Sequence, residues 1–190
     1  MNSNVRTGHD QWAAAAARGA GGAVVVWQGQ AADCGKGVFA RRFDASGTAQ
    51  AVLVPGANSC RPGRFPSACG LPGGGFSVVW EEEAHEEDSY GIFAQLFDDT
   101  GRPVAPPLLV NTHVQKRQRY PHAAAAGERL LVARTSEEQD GSGRGVYGQL
   151  LDMNGAPVGG EFRVNSETAG HQWLPRVAAF PSGFVVAWVD

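Results

Sequence analysis

Four short apolar runs recur along this chain, each closed by a large residue. Ala23-Val24-Val25-Val26 ends at Trp27, and Phe76-Ser77-Val78-Val79 ends at Trp80. Leu130-Leu131-Val132-Ala133 ends at Arg134, and Phe184-Val185-Val186-Ala187 ends at Trp188. Short runs rich in β-branched residues and bounded by glycine predict strands covered on both faces. We name this strand type B. The next run, type C, reads Gly37-Val38-Phe39-Ala40, Gly91-Ile92-Phe93-Ala94 and Gly145-Val146-Tyr147-Gly148. Its alternation puts Ile92, Ala94 and Leu96 on one face and Phe93, Gln95 and Phe97 on the other. Each C strand runs into a tight turn whose glycines, Gly47, Gly101 and Gly155, lie 54 residues apart.

Weaker runs follow the turns: Ala51-Val52-Leu53-Val54, Leu108-Leu109-Val110 and Glu161-Phe162-Arg163-Val164. These are strands of type D, expected at an outer edge, where Pro103, Pro106 and Pro107 cost no ladder bonds. Type A strands lead into B at 13–17, 67–71, 122–126 and 176–180. The alanines of 13–18 and 123–131 imitate a helix, since alanine has the best helix propensity. The equivalent Gly70, Pro72 and Pro181 argue for strands instead. Repeat register also sets Cys69 level with Ala16, Ala123 and Val177, as a small buried residue.

The order A-B-C-D repeats three times, and a fourth copy stops after Trp188, so about fourteen strands are expected. The expected fold is all-β: a β-propeller-like array of four-stranded antiparallel blades, three full repeats plus a half. A β-sandwich or a sheet solenoid is the alternative. One repeat domain spans 1–190, with repeats at about 6–59, 60–113 and 114–167 and a partial repeat at 168–190. The half blade leaves residues 184–188 as an apolar edge. Such an edge recruits other strands, so a missing segment or self-association of two chains is expected to cover it.

The text Pro175-x-Val177-Ala178-Ala179-x-Pro181-x-Gly183-Phe184-Val185-Val186-Ala187-Trp188, with Gln139-Asp140-Gly141-Ser142-Gly143 and Gly159-Gly160-Glu161-Phe162-Arg163-Val164-Asn165, resembles a repeat of large bacterial secreted and surface proteins. Some of those proteins also carry haemolysin-type calcium-binding repeats. The resemblance covers nearly the whole chain. It implies a propeller-like fold and an extracellular or cell-surface setting. The first copy departs from it, with Ala31-Ala32-Asp33-Cys34 in place of the Asp-Gly-Ser-Gly text.

Composition narrows the function classes. The net charge of −3 comes without a basic stripe, which excludes nucleic acid as a partner. No run reaches the roughly 18 to 20 apolar residues of a membrane span, so no membrane insertion is expected. The first residues, Met1-Asn2-Ser3-Asn4-Val5-Arg6, lack the apolar core of a signal peptide. Cys34, Cys60 and Cys69 fit no zinc spacing.

Candidate chemistry gathers in the loops from D to A. In register these carry Asp10, Gln11 and Trp12; Arg64 and Phe65; Gln118, Arg119 and Tyr120; and His171, Gln172 and Trp173. An aromatic ring beside amide, guanidinium or imidazole donors is equipment for holding a sugar, and repetition adds avidity. The other reading is that the polar residues brace neighbouring blades and the rings fill the space between them. The B-to-C loops are acidic, notably Glu81-Glu82-Glu83-Ala84-His85-Glu86-Glu87-Asp88, which reads as a solvated hairpin tip. A bare acidic run lacks the shaped oxygen cage of a calcium site. Neither a metal site nor a cofactor is called for, and no nucleophile motif surrounds the five histidines. Arg64, Arg119, Arg134, Tyr120 and Glu138 are the residues a sialidase-like set would draw on, and Arg134 is expected to pair with Glu137 or Glu138 or else to mark an irregular blade face.

The expected function is therefore a non-catalytic binding or adhesion module, not an enzyme, with a glycan or a protein as ligand. The alternatives are a purely structural repeat segment of a larger surface protein, or a fragment of a propeller glycosidase or lyase.

Overall fold

The computed structural model describes residues 12–18, 22–31, 35–53, 62–83 and 89–190. They form three four-stranded antiparallel sheets and one two-stranded sheet. The first blade is β1 (Trp12–Arg18), β2 (Gly22–Ala31), β3 (Gly35–Asp44) and β4 (Ala49–Leu53). The second is β5 (Gly63–Gly70), β6 (Phe76–Glu83), β7 (Tyr90–Phe97) and β8 (Leu108–Leu109). The third is β9 (Gln118–Ala126), β10 (Arg129–Glu137), β11 (Arg144–Leu151) and β12 (Pro157–Arg163). The last comprises β13 (Trp173–Phe180) and β14 (Gly183–Val189). Within each full blade the spatial order follows the sequence, so D lies at one edge and A at the other. The inner strands β1, β5, β9 and β13 neighbour one another in turn. This is the expected propeller-like array, and the alanine runs are strands.

The period of two in strand B decides which blade each side chain meets. Phe76, Val78 and Trp80 turn toward the first blade and pack with Val24, Val26, Val38 and Ala40. Val79 turns the other way, with Ile92, Ala94 and Leu96 of β7, onto Ala123, Leu130, Val132 and Leu151 of the third blade. Leu131 and Ala133 then meet Val177 of the last blade. Strand B is thus apolar throughout because a blade covers each of its faces.

Each closing residue of strand B faces an aromatic residue of strand C. Trp27 stacks on Phe39 at 5.7 Å between ring centroids, and Trp80 on Phe93 at 6.0 Å. Arg134 holds the same place over Tyr147, its guanidinium carbon 5.7 Å from the ring centroid. It is fully buried and pairs with Glu161 at 2.6 Å, not with Glu137 or Glu138 as expected. Gln118 accepts from its Nε at 3.0 Å. Burial works to raise the Glu161 carboxyl, but the Arg134 charge, the Gln139 amide and the Thr112 N–H outweigh it and hold the pKa low. The bond from Thr112 N–H also ties the link between the second and third blades to β12.

The C-to-D turns owe their repetition to one aspartate. Asp98 Oδ1 accepts the N–H groups of Thr100 and Arg102, each at 2.9 Å. Asp44 and Asp152 do the same for their own turns. The third turn residue is Gly47, Gly101 or Gly155, all at positive φ, where glycine alone is unstrained.

Pairing corrects the register of one strand. Ser67, His122 and Arg176 oppose Val79, Ala133 and Ala187, so Ala68 is the counterpart of Ala123 and Val177, while Cys69 matches Ala16 as expected, the two opposing Ser77 and Val24. The A-to-B turn of the second blade is one residue longer than those of the third and last. Gly75 is needed there, because a Cβ would sit 2.1 Å from the Phe97 carbonyl oxygen. Strand β14 pairs with β13 alone among the described residues, and Val185 and Trp188 are exposed.

Candidate functional site

Three inner strands break their register at one place. The shifts fall between Arg64 and Ser67, between Arg119 and His122, and between Trp173 and Arg176. The sequences there are Arg64-Phe65-Pro66, Arg119-Tyr120-Pro121 and Trp173-Leu174-Pro175. The proline has no N–H to give to the ladder, so each strand bulges at this point. The residue before it has positive φ: 46° at Phe65, 54° at Tyr120 and 52° at Leu174. Bulky side chains seldom adopt that conformation, and it persists only where the surroundings enforce it.

A side chain of the preceding blade supplies that enforcement. The freed N–H of Phe65 donates to Gln28 Oε1 at 3.4 Å, and that of Leu174 to Thr135 Oγ1 at 3.2 Å. The N–H of Tyr120 donates to Glu81 Oε1 at 2.6 Å. Gln28, Glu81 and Thr135 each follow the closing residue of strand B. The bracket is common to three blade junctions, yet only the middle one uses a carboxyl.

That carboxyl is fully buried. Its Oε2 has no hydrogen-bond partner among the described residues, and the Arg119 Nε lies 3.9 Å away. Burial pushes the Glu81 carboxyl up to about 7, against the pull of the Tyr120 N–H and the charges of Arg119 and Arg64. Glu137 is close enough to add to the rise. The acidic run therefore does not begin as a solvated tip: Glu81 and Glu82 are buried in β6, and Glu82 Oε2 accepts the Trp80 indole N–H at 2.9 Å. Residues 84–88 lie outside the described residues.

The bulges bring the predicted rings together. Phe65 meets Tyr120 edge-on at 5.1 Å, and Tyr120 meets Trp173 at 6.1 Å. Arg119 lies over Tyr120 at 4.8 Å and Arg64 over Tyr90 at 4.7 Å. Arg144 lies over Trp173 at 5.6 Å, with its Nε 3.7 Å from Glu137 Oε1. Phe65 is 44 % exposed, and Tyr120 and Trp173 are half-buried. The result is a row of rings across three blades, edged by guanidiniums, with the Glu81 carboxyl buried against the Tyr120 backbone N–H.

Other predicted residues are placed elsewhere. Gln118 and Gln172 are buried. The Gln118 amide donates to the Gln115 carbonyl, and that of Gln172 to Ala169 and Asp190. Both brace the links between blades. His171 is exposed, and its backbone bridges to Arg144. Asp10 and Gln11 lie outside the described residues, and Trp12 is placed only as the partner of Gln28 in the β1–β2 register. Glu138 pairs with Lys116 at the surface at 3.2 Å. The sequence reading missed the bracket Gln28, Glu81 and Thr135, and also Tyr90, Glu137 and Arg144. The repeated proline of Pro66, Pro121 and Pro175 was the available signal. Among the described residues no group of three or more His, Cys, Asp or Glu is placed to hold a metal ion. No described helix is long and apolar enough to cross a membrane.

No family model and no curated protein sequence matches the chain. Solved structures do. The endo-arabinase of Bacteroides thetaiotaomicron VPI-5482 superposes with a TM-score of 0.55 at 13% identity, over 90% of this chain and 72% of its own. The α-L-arabinanase of Penicillium chrysogenum, complexed with arabinobiose, gives 0.56 at 12%, over 87% and 53%. The xylan β-1,4-xylosidase of Bacillus halodurans C-125 gives 0.57 at 13%, over 99% and 38%. The chain thus spans between about two fifths and three quarters of these proteins' lengths. At such identities the likeness is one of fold. It corrects the expectation of a non-catalytic binding or adhesion module that is not an enzyme: the neighbours that share the blade array are glycan-cleaving enzymes.

Proposed function

We propose that the chain is part of a propeller glycoside hydrolase acting on a polysaccharide of the arabinan or xylan kind. The sugar lies across the row Phe65, Tyr120 and Trp173. The observation that carries this reading is Glu81. Two other junctions make the same bracket with a neutral oxygen, from Gln28 or Thr135. Here a carboxyl is held at a cost in folding energy, bonded to the backbone of Tyr120, whose ring suits the C–H face of a sugar. Groups that are expensive to keep and perturbed in pKa gather where chemistry is done.

Glycoside hydrolysis uses two carboxyl groups, one giving a proton to the leaving oxygen and one serving as base or nucleophile. Glu81 keeps its proton to about pH 7, the state a proton donor needs. Glu137, half-buried beside Arg144, is the second carboxyl of the same end. Trp173 and Tyr120 supply the platform, and Arg119 sits between platform and donor.

The test is the release of reducing ends from linear arabinan and from xylan by the full chain. The expected result is turnover that falls by about 100-fold or more in Glu81→Gln, as for loss of a general acid. Turnover no higher than that of a Glu81→Gln/Glu137→Gln double variant would overturn the proposal.

A further inference from the structure

Guanidiniums edge the ring row, and neutral pentose units do not call for them. The guanidiniums of Arg64, Arg117, Arg119 and Arg144 all lie within 6 Å of its rings or of Tyr90 beside it. Glu81, Glu82, Glu83 and Glu137 are the described carboxyls at the ends of β6 and β10, equal in number to the guanidiniums, and the first two are buried. Lys116 and Glu138 cancel one another. Arg119 is the most telling of the set. Its Nε is buried with no hydrogen-bond acceptor among the described residues, and Glu81 at 3.9 Å is beyond hydrogen-bond reach. The Arg119 guanidinium carbon lies 4.8 Å from the Tyr120 ring centroid, and a carboxylate is the acceptor that matches a guanidinium fork in two parallel bonds.

We propose that the ring row receives an acidic glycan, a chain bearing uronic-acid carboxylates, with Arg64 and Arg119 pairing the carboxylates while Phe65, Tyr120 and Trp173 stack on the sugar rings. This deepens the hydrolase reading, since it takes the same end of the blades as the sugar site. It differs from that reading in asking for charge on the ligand. The positive edge draws the acidic chain, and the rings hold its register.

The experiment compares one backbone in two charge states. Calorimetric titration of the full chain with a polygalacturonate oligomer is set against the same oligomer with its carboxyls methyl-esterified, and against neutral linear arabinan. The acid form is expected to bind at least about tenfold more tightly than the ester, roughly the value of one charge-assisted bond. Raising the salt should erode the difference. Arg64→Gln and Arg119→Gln should each lower affinity for the acid form by more than for the ester. The Lys variants should recover part of the loss, with thermal melts confirming the fold. Equal affinity for acid and ester, or no binding of either, overturns the proposal. Hydrolysis of arabinan with no preference for the acid form would sink this inference and leave the hydrolase reading. Tight acid binding without hydrolysis of any polymer would do the reverse.

Discussion

Replacing Glu81 by glutamine should stabilise the protein at neutral pH. The native state raises the carboxyl from 4.5 to about 7, so it holds its proton where the unfolded chain has lost it. The stability that this proton retention protects is complete below pH 4.5, falls as pH rises, and levels off above about 7. The gap between 4.5 and about 7, at about 1.4 kcal/mol per pH unit, gives an upper value of about 3.5 kcal/mol lost across that window. Glutamine stays neutral throughout, and its oxygen can accept the Tyr120 N–H as Gln28 accepts that of Phe65. Urea melts of both proteins from about pH 4 to about pH 8 measure the effect. The curves should meet at the acid end and part by about 2 to 3 kcal/mol at the neutral end, the variant being the more stable. Parallel pH profiles would refute the reasoning, because they would mean that Glu81 ionises as readily in the blade junction as in water.

Trp80→Ala removes a buried ring stacked on Phe93 and strips Glu82 of the indole donor, so denaturant melts should show a loss of about 3 to 5 kcal/mol. Arg134→Ala leaves Glu161 without its buried cation and should cost about 3 kcal/mol or more by the same measurement. Arg134→Trp restores the residue of the other repeats yet still orphans Glu161, so it too should be less stable than the parent. Asp98→Ala should raise backbone amide exchange at Thr100 and Arg102 while leaving that of β6 unchanged, since the carboxylate serves only its own turn.

The blade pattern was legible because it is written in periods. Alternation along β7 already assigns Ile92, Ala94 and Leu96 to one neighbour and Phe93 and Phe97 to the other, and that is how they pack. Repeat register likewise outweighed alanine propensity in β9. The site was less legible for a specific reason. A one-residue exchange between the D-to-A link and the A-to-B turn of the second blade preserves the 54-residue spacing while shifting β5. Gapless alignment then sets Phe65 against Arg119 and hides the match of Phe65-Pro66 with Tyr120-Pro121 and Leu174-Pro175. Turn length is set locally and carries no periodic signal. Burial of Glu81 was equally hidden. A run of three glutamates looks solvated, and only the bulge of β9 above it shows where its first member points.

The three brackets also separate what the fold requires from what it does not. Each bulge frees one N–H that would be costly to bury unpaired. Any oxygen of the preceding strand B satisfies it, and Thr135 does so with a hydroxyl, without charge and without raising a pKa. A carboxyl at Glu81 is therefore not demanded by the junction. It weakens the native state at neutral pH. One substitution consequently tests structure and chemistry against each other. Glu81→Gln keeps the bracket, removes the ionisable group and should raise stability. A concomitant fall in turnover would mark the carboxyl as kept for reaction at the expense of folding. Gain of stability with turnover unchanged would assign Glu81 to the junction alone and move the proton donor elsewhere on the ring row.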